Sequence, residues 1–161
     1  MRCMVIMERE TIVHLTVLVD ASPEVVWRAL VDPQLTRLYR AGQQPVTTWG
    51  RNAPLEWREY AEGQERLCAK GMVMAFQPGA RLRYTHLDVG GDLPDEPSSY
   101  TTVDISLEEQ RDGRTKLMLW QGDFAGLPHD VRRTREAGRT WVEALVGLKR
   151  TAEEQQGSMA A

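Results

Sequence analysis

From Asp130 to about Glu154 the apolar positions recur at the spacing of a single helical face. Val131, Gly138, Trp141, Leu145, Leu148 and Ala152 line up, with Val142 beside Trp141. From Gly138 on, the steps are three, four, three, four, the period of an α-helix. Arg132, Arg133, Arg135, Glu136, Arg139, Glu143, Lys149, Arg150 and Glu153 lie mostly off that face. Leu127-Pro128-His129-Asp130 supplies a start, with Asp130 as the expected N-cap. At ~1.5 Å per residue, roughly 24 residues make a rod of about 35 Å. A long one-faced helix needs a large apolar partner. The chain before it reads mainly as strands, so the pattern predicts a sheet curved around this helix.

Period-two alternation dominates that earlier part. Thr11 to Val19 sets Val13, Leu15, Val17 and Val19 against Ile12, His14, Thr16 and Leu18, a half-buried strand. Asp20-Ala21-Ser22-Pro23 ends it and starts a helix, with Ser22 as N-cap and Pro23 in the first turn. Val26, Trp27 and Leu30 form its buried face. Asp32-Pro33 opens a second short helix running to about Tyr39. Strands are expected at Val46–Trp49, Leu55–Tyr60, Arg66–Phe76, Arg81–Leu87, Tyr100–Gln110 and Thr115–Gln121. Between them lie turn signals at Ala61-Glu62-Gly63-Gln64, Gln77-Pro78-Gly79-Ala80 and Arg111-Asp112-Gly113-Arg114. Val89 to Ser99 is rich in Gly, Asp and Pro and reads as an irregular loop. Turns of hairpin length make the sheet antiparallel and the class α+β. The expected organisation is one domain over 11–154, an N-terminal extension over 1–10 and a disordered tail over 155–161.

Composition narrows the partners. The 161 residues carry 20 basic and 23 acidic side chains, a net charge of −3. That balance argues against nucleic acid, whose phosphates require a basic surface. Arg132, Arg133, Arg135 and Arg139 are a local exception, read as a solvated helix face. Cys3 and Cys68 make no disulfide framework, and Cys68 is expected as a small buried hydrophobe. No apolar run approaches the ~20 residues of a membrane span, and a cytoplasmic location is the default.

The motifs now carry a resemblance. Ala21-Ser22-Pro23-Glu24-Val25-Val26-Trp27-Arg28-Ala29-Leu30-Val31-Asp32-Pro33 resembles the N-terminal signature of the SRPBCC, or START-like, superfamily. Lys70-Gly71-Met72-Val73, Pro78 through Thr85, Ser99 through Val103, Thr115 through Gln121 and Trp141 through Lys149 are similar to its branch around the activator of the heat-shock-protein ATPase. The likeness runs from about Thr11 to Thr151. It implies a helix-grip fold: an antiparallel sheet of six to seven strands gripping the C-terminal helix, two short helices after the first strand, and a cavity between. Members of the superfamily bind lipids, sterols, polyketides and hormones, and some are cyclases or hydrolases. No shared catalytic motif transfers residue by residue. In the eukaryotic relatives a separate N-terminal domain is attached. Here about ten residues precede the first strand, so that domain is expected to be missing.

Candidate chemistry is sparse. His14, His86 and His129 lack the paired spacing of a metal site, and no nucleophile elbow or phosphate loop appears. No cofactor is called for. Trp49, Trp57, Met72, Met74, Phe76, Tyr84, Trp120 and Trp141 lie on strands or the long helix. They read either as plain core or as walls of an apolar cavity. Polar residues on inner faces add His86, which would need a partner such as Asp104, Gln121 or the Tyr84 hydroxyl. The candidate ligand-binding set is therefore Trp49, Trp57, Met72, Met74, Tyr84, His86, Asp104, Trp120, Gln121 and Trp141. The favoured reading is a non-catalytic module for a hydrophobic small molecule of lipid, polyketide or aromatic type. A cyclase or hydrolase in the same cavity, and a chaperone cofactor acting through its surface, are the alternatives. Exposed sheet edges and the Arg-rich helix start leave a homodimer open.

Overall fold

The computed structural model describes residues 4–6 and 10–160. Eight strands among them form one antiparallel sheet. They are β1 (Met4–Ile6), β2 (Val13–Val19), β3 (Gln43–Val46), β4 (Pro54–Ala61), β5 (Gln64–Gln77), β6 (Arg81–Asp88), β7 (Thr101–Glu109) and β8 (Thr115–Gly122). Their spatial order is β1-β2-β8-β7-β6-β5-β4-β3. From β3 to β8 each strand pairs with its sequence neighbour, and β2 closes onto β8 with Leu15 opposite Leu119. Helices α1 (Pro23–Val31) and α2 (Pro33–Tyr39) follow β2, and α3 (Asp130–Ala160) ends the chain. This is the helix-grip arrangement that the periodicities and the resemblance predict.

The alternation translates directly into faces. Val13, Leu15, Val17 and Val19 of β2, Leu117 and Leu119 of β8, Val103 and Ile105 of β7, Leu82 and Tyr84 of β6 and Leu55 and Trp57 of β4 are all buried. Against them α3 lays Trp141, Ala144, Leu145, Leu148 and Ala152, and α1 adds Val25, Val26, Trp27, Ala29 and Leu30. One continuous core results, the outcome expected when one face of every element is apolar. Register shifts between Trp57 and Arg58 on β4, and between Val73 and Ala75 on β5, bend the sheet around the helices.

Capping follows the sequence signals at two helices and departs at the third. The Ser22 hydroxyl accepts from the Val25 N–H, and the Asp32 carboxylate accepts from the Gln34 N–H. At α3 the His129 carbonyl takes the first helical hydrogen bond, from the Arg133 N–H. His129 rather than Asp130 therefore stands at the cap, with a positive φ of 55°.

Both chain ends differ from expectation. Residues 4–6 of the supposed extension pair with Leu15–Val17 as an edge strand. The supposed tail continues α3 to Ala160, because its last turns find partners. The Gln156 side chain accepts from the Ser22 N–H at 3.0 Å, and the Arg28 guanidinium donates to the Met159 sulfur at 3.3 Å. One turn earlier Lys149 Nζ donates to the Leu18 carbonyl, and Glu153 accepts from the Asp20 N–H at 2.8 Å. The strand expected at Val46–Trp49 lies earlier, at Gln43–Val46. Cys68 is half-buried rather than buried, and Cys3 lies outside the described residues.

Candidate functional site

The C-terminal half of α3 is sealed onto β2 and α1. Beside its N-terminal half lies a cleft of about 510 Å³, within the range usual for small-molecule sites. The walls are α3 from Arg133 to Ala144, the ends of β6 and β8, the 91–101 loop and the turn leaving α2. Phe124, Leu127, Leu87 and Trp141 supply apolar surface; His86, Gln121, Thr101 and Arg40 supply polar surface. The expected apolar cavity with polar anchors is thus a cleft of mixed character.

Three of the candidate residues line this cleft: His86, Gln121 and Trp141. Gln121 is buried and fully engaged. Its Oε1 accepts from Trp141 Nε1 at 2.6 Å, and its Nε2 donates to Thr101 Oγ1 at 3.0 Å. The amide braces α3 against β7 and β8, and fixes the indole that walls the cleft. His86 sits at the rim, where its Nε2 donates to Asp88 Oδ1 at 2.9 Å. Its partner is therefore Asp88, two residues along the same strand, and not Asp104, Gln121 or Tyr84. That hydrogen bond holds the Asp88 carboxyl below the ordinary carboxylate range.

Trp57 and Tyr84 lie just beneath, fully buried, with ring centroids 5.9 Å apart. Burial pushes the Tyr84 phenol upward, and the nearby Arg40 charge opposes that shift. Five candidates lie elsewhere. Trp49 adopts a positive φ of 63° and stacks on Phe76 at 5.1 Å, in a cluster that continues to Trp27. Met72 and Met74 are 45% and 39% exposed on the outer face, since Val73 between them takes the inward position. Asp104 and Trp120 pair across β7 and β8 on that same outer face. There the Asp104 carboxylate receives Arg81 at 2.6 and 3.0 Å. The strand parity placing Leu117, Leu119 and Gln121 inward turns Trp120 outward.

The residue that sequence reasoning missed is Arg40. It is the C-cap of α2, pinned by its N–H to the Thr36 carbonyl and by its carbonyl to the Gln43 N–H, at 2.8 and 2.9 Å. Its guanidinium lies 3.9 Å from the Trp57 ring centroid and 4.9 Å from that of Trp141. Each such cation–π contact is worth roughly 0.5–2 kcal/mol, according to desolvation. The other basic groups at the cleft already have carboxylates: Arg133 holds Asp92 at 2.7 Å, and the His86 imidazole donates to Asp88. Among the described residues Arg40 has none within ion-pair distance. Nearby, Trp57 Nε1, the Tyr84 hydroxyl and His86 Nδ1 are buried without hydrogen-bond partners. The sequence signal for Arg40 is slight: one basic residue just before Ala41-Gly42, which leave the helix with positive φ.

The 91–101 loop is held over the cleft by charge. Arg133 donates to both Asp92 oxygens, at 2.7 and 2.8 Å, and Asp95 receives the Tyr100 hydroxyl at 2.6 Å as well as the Lys70 ammonium. The Arg133 hydrogen bond lowers the Asp92 carboxyl, as Lys70 lowers that of Asp95. Carboxyls lowered in the folded state stabilise it above their unfolded value of about 3.9 and lose that contribution as pH falls through the lowered value. Asp92→Asn should accordingly raise amide hydrogen exchange across Val89–Leu93 and leave the melting temperature nearly unchanged. Unaltered exchange there would mean that Arg133 does not hold the loop.

Among the described residues no group of His, Cys, Asp and Glu is placed to hold a metal, and no helix is long and apolar enough to cross a membrane. A family model described as Activator of Hsp90 ATPase homolog 1-like protein matches residues 20–153. No curated protein matches. Among solved structures, ChR145 from Cytophaga hutchinsonii superposes with a TM-score of 0.71 at 26% identity, covering 92% of this chain and 98% of that one. CalU16 from Micromonospora echinospora gives 0.63 at 18% identity, covering 91% and 86%. DynU16, encoded in the dynemicin biosynthetic locus, gives 0.70 at 18% identity, covering 91% of this chain and 48% of its own.

Proposed function

The chain belongs to the Activator of Hsp90 ATPase homolog 1-like family, and from that premise we propose that it is a non-catalytic binding domain for a hydrophobic small molecule. The observation that carries this reading is the cleft of about 510 Å³ between the sheet and the N-terminal half of α3. It offers an apolar wall in Phe124, Leu127 and Trp141 and a few fixed polar groups, the usual composition of a ligand site. DynU16, a fold relative from a biosynthetic locus, is compatible with a ligand of that kind.

Binding is favoured over catalysis by the state of the titratable groups. His86 is the one histidine of the lining, its Nε2 is tied to an exposed Asp88 and its Nδ1 is buried, so no second acid–base group converges with it on the cleft. The Gln121 amide is spent on Trp141 and Thr101. Turnover of polyketide or ester probes that disappears in His86→Ala would favour an enzyme instead.

Native mass spectrometry of protein purified from its own host is the direct test. A small apolar mass should accompany the wild type and be absent from Ala137→Trp, which fills the cleft from α3. Release of no small molecule, together with failure to take up any apolar probe, would overturn the reading.

A further inference from the structure

We propose that the guest carries an anionic head group, of the carboxylate class, and that Arg40 is the residue that binds it. The inference rests on the binding reading above and specifies its chemistry. Arg40 is half-buried, packed between two indoles and without a carboxylate of its own among the described residues. Indole faces accept no conventional array of hydrogen bonds, so beyond the Tyr84 hydroxyl oxygen that it faces, the guanidinium has few acceptors for its five N–H donors. A carboxylate matches the planar donor fork and can be held by two parallel hydrogen bonds.

The surroundings favour this occupant over water or a neutral group. Behind Arg40 the sealed Trp57 and Tyr84 offer its N–H donors little beyond a π face and one hydroxyl oxygen, and Arg40 itself lines the cleft. No carboxylate of the lining pairs directly with Arg40, although its charge reaches Asp88. Asp88 accepts from His86 and Asp92 from Arg133, while Glu136 and Glu143 are exposed on α3. Phe124 and Leu127 lie in the same cleft and provide for the apolar body. A molecule with an acyl or aromatic body and one carboxylate satisfies both Arg40 and the apolar wall.

Three probes of equal chain length separate the possibilities: decanoate, 1-decanol and decyltrimethylammonium, titrated by calorimetry into the full chain. A charge-assisted hydrogen-bonded pair replacing a neutral one predicts decanoate at least about tenfold tighter than decanol, with the cation weakest. Arg40→Met should abolish the preference for the acid and keep decanol binding. Arg40→Lys, which retains charge but loses the fork, should keep a reduced preference and shows whether loss in Arg40→Met reflects charge or folding. Equal affinity for acid and alcohol in the wild type would overturn the role of Arg40 while leaving a neutral-ligand site standing. A preference that survives Arg40→Met in a folded variant would overturn it too. Failure of all three probes to bind would remove the binding reading, and this inference with it.

Discussion

Gly71→Ala should be the most damaging single-methyl change in the protein, lowering stability by about 3 kcal/mol or more, at the upper end of overpacking effects. A Cβ on Gly71 would lie 1.7 Å from the Thr85 carbonyl oxygen and 2.5 Å from its carbon. No rotamer relieves a clash with backbone, so β5 and β6 must separate. The pairing between them already skips this point. It runs through Lys70 opposite Leu87, resumes at Val73 opposite Tyr84, and gives the Met72 N–H to the Thr85 hydroxyl at 2.9 Å. The strand bends here because glycine lets the two backbones touch. For a domain of this size the loss corresponds to roughly 6–12 °C in Tm. Urea unfolding is the measurement; a cost below about 1 kcal/mol would mean that β5 and β6 part at Gly71 without losing their pairing.

The second large effect belongs to Gly147, and it reaches the cleft. An added Cβ would meet the Cβ of Tyr39 at 2.5 Å and its Cα at 3.4 Å. Neither atom is the free end of a flexible side chain, so α2 must move off α3. Tyr39 is also held from the other side, its hydroxyl donating to the Ala29 carbonyl at 2.5 Å. Gly147→Ala should therefore cost about 1–3 kcal/mol, against the helix-propensity gain that the same change brings elsewhere. Gly138→Ala is the control: its nearest neighbour outside the helix, a Val13 methyl, is at 4.0 Å, and the change should stabilise by about 0.5–1 kcal/mol. Because Arg40 follows Tyr39 directly, Gly147→Ala should also weaken decanoate more than decanol. Equal stability changes at Gly138 and Gly147 would show that α2 does not bear on α3 at this glycine.

Most of the architecture was legible because it depends on local periodicity. The three-four spacing from Gly138 to Ala152 and the alternation along β2, β7 and β8 each report a buried face directly. Pro23 and Pro33, each preceded by a capping side chain, marked both short helices. Errors gathered where periodicity is weak: at the short edge strands β1 and β3, and at the final turns of α3, which are polar and depend on contacts with Ser22 and Arg28.

The candidate site was less legible. Alternation assigns a residue to one side of a sheet, and His86 and Gln121 face the cleft as expected, whereas Trp120 and Asp104, expected in the cavity, share the outer face. It does not say which inward residues are sealed in the core and which meet the cleft. Trp57 and Tyr84 are sealed, whereas Gln121 and Trp141 reach the wall. That difference is set by where α3, the loop before β7 and the turn after α2 leave the sheet uncovered.

The order of apolar and polar side chains thus determined the elements, their buried faces and the helix-grip class, because each depends on neighbours a few residues apart. Tertiary structure alone decided that Arg40 lies between Trp57 and Trp141, which stand 17 and 101 positions beyond it in the chain. Hydrophobic pattern specifies that a surface is buried; only packing specifies what it is buried against. Arg40 belongs to the second class, since its environment is assembled from α2, β4 and α3 at once.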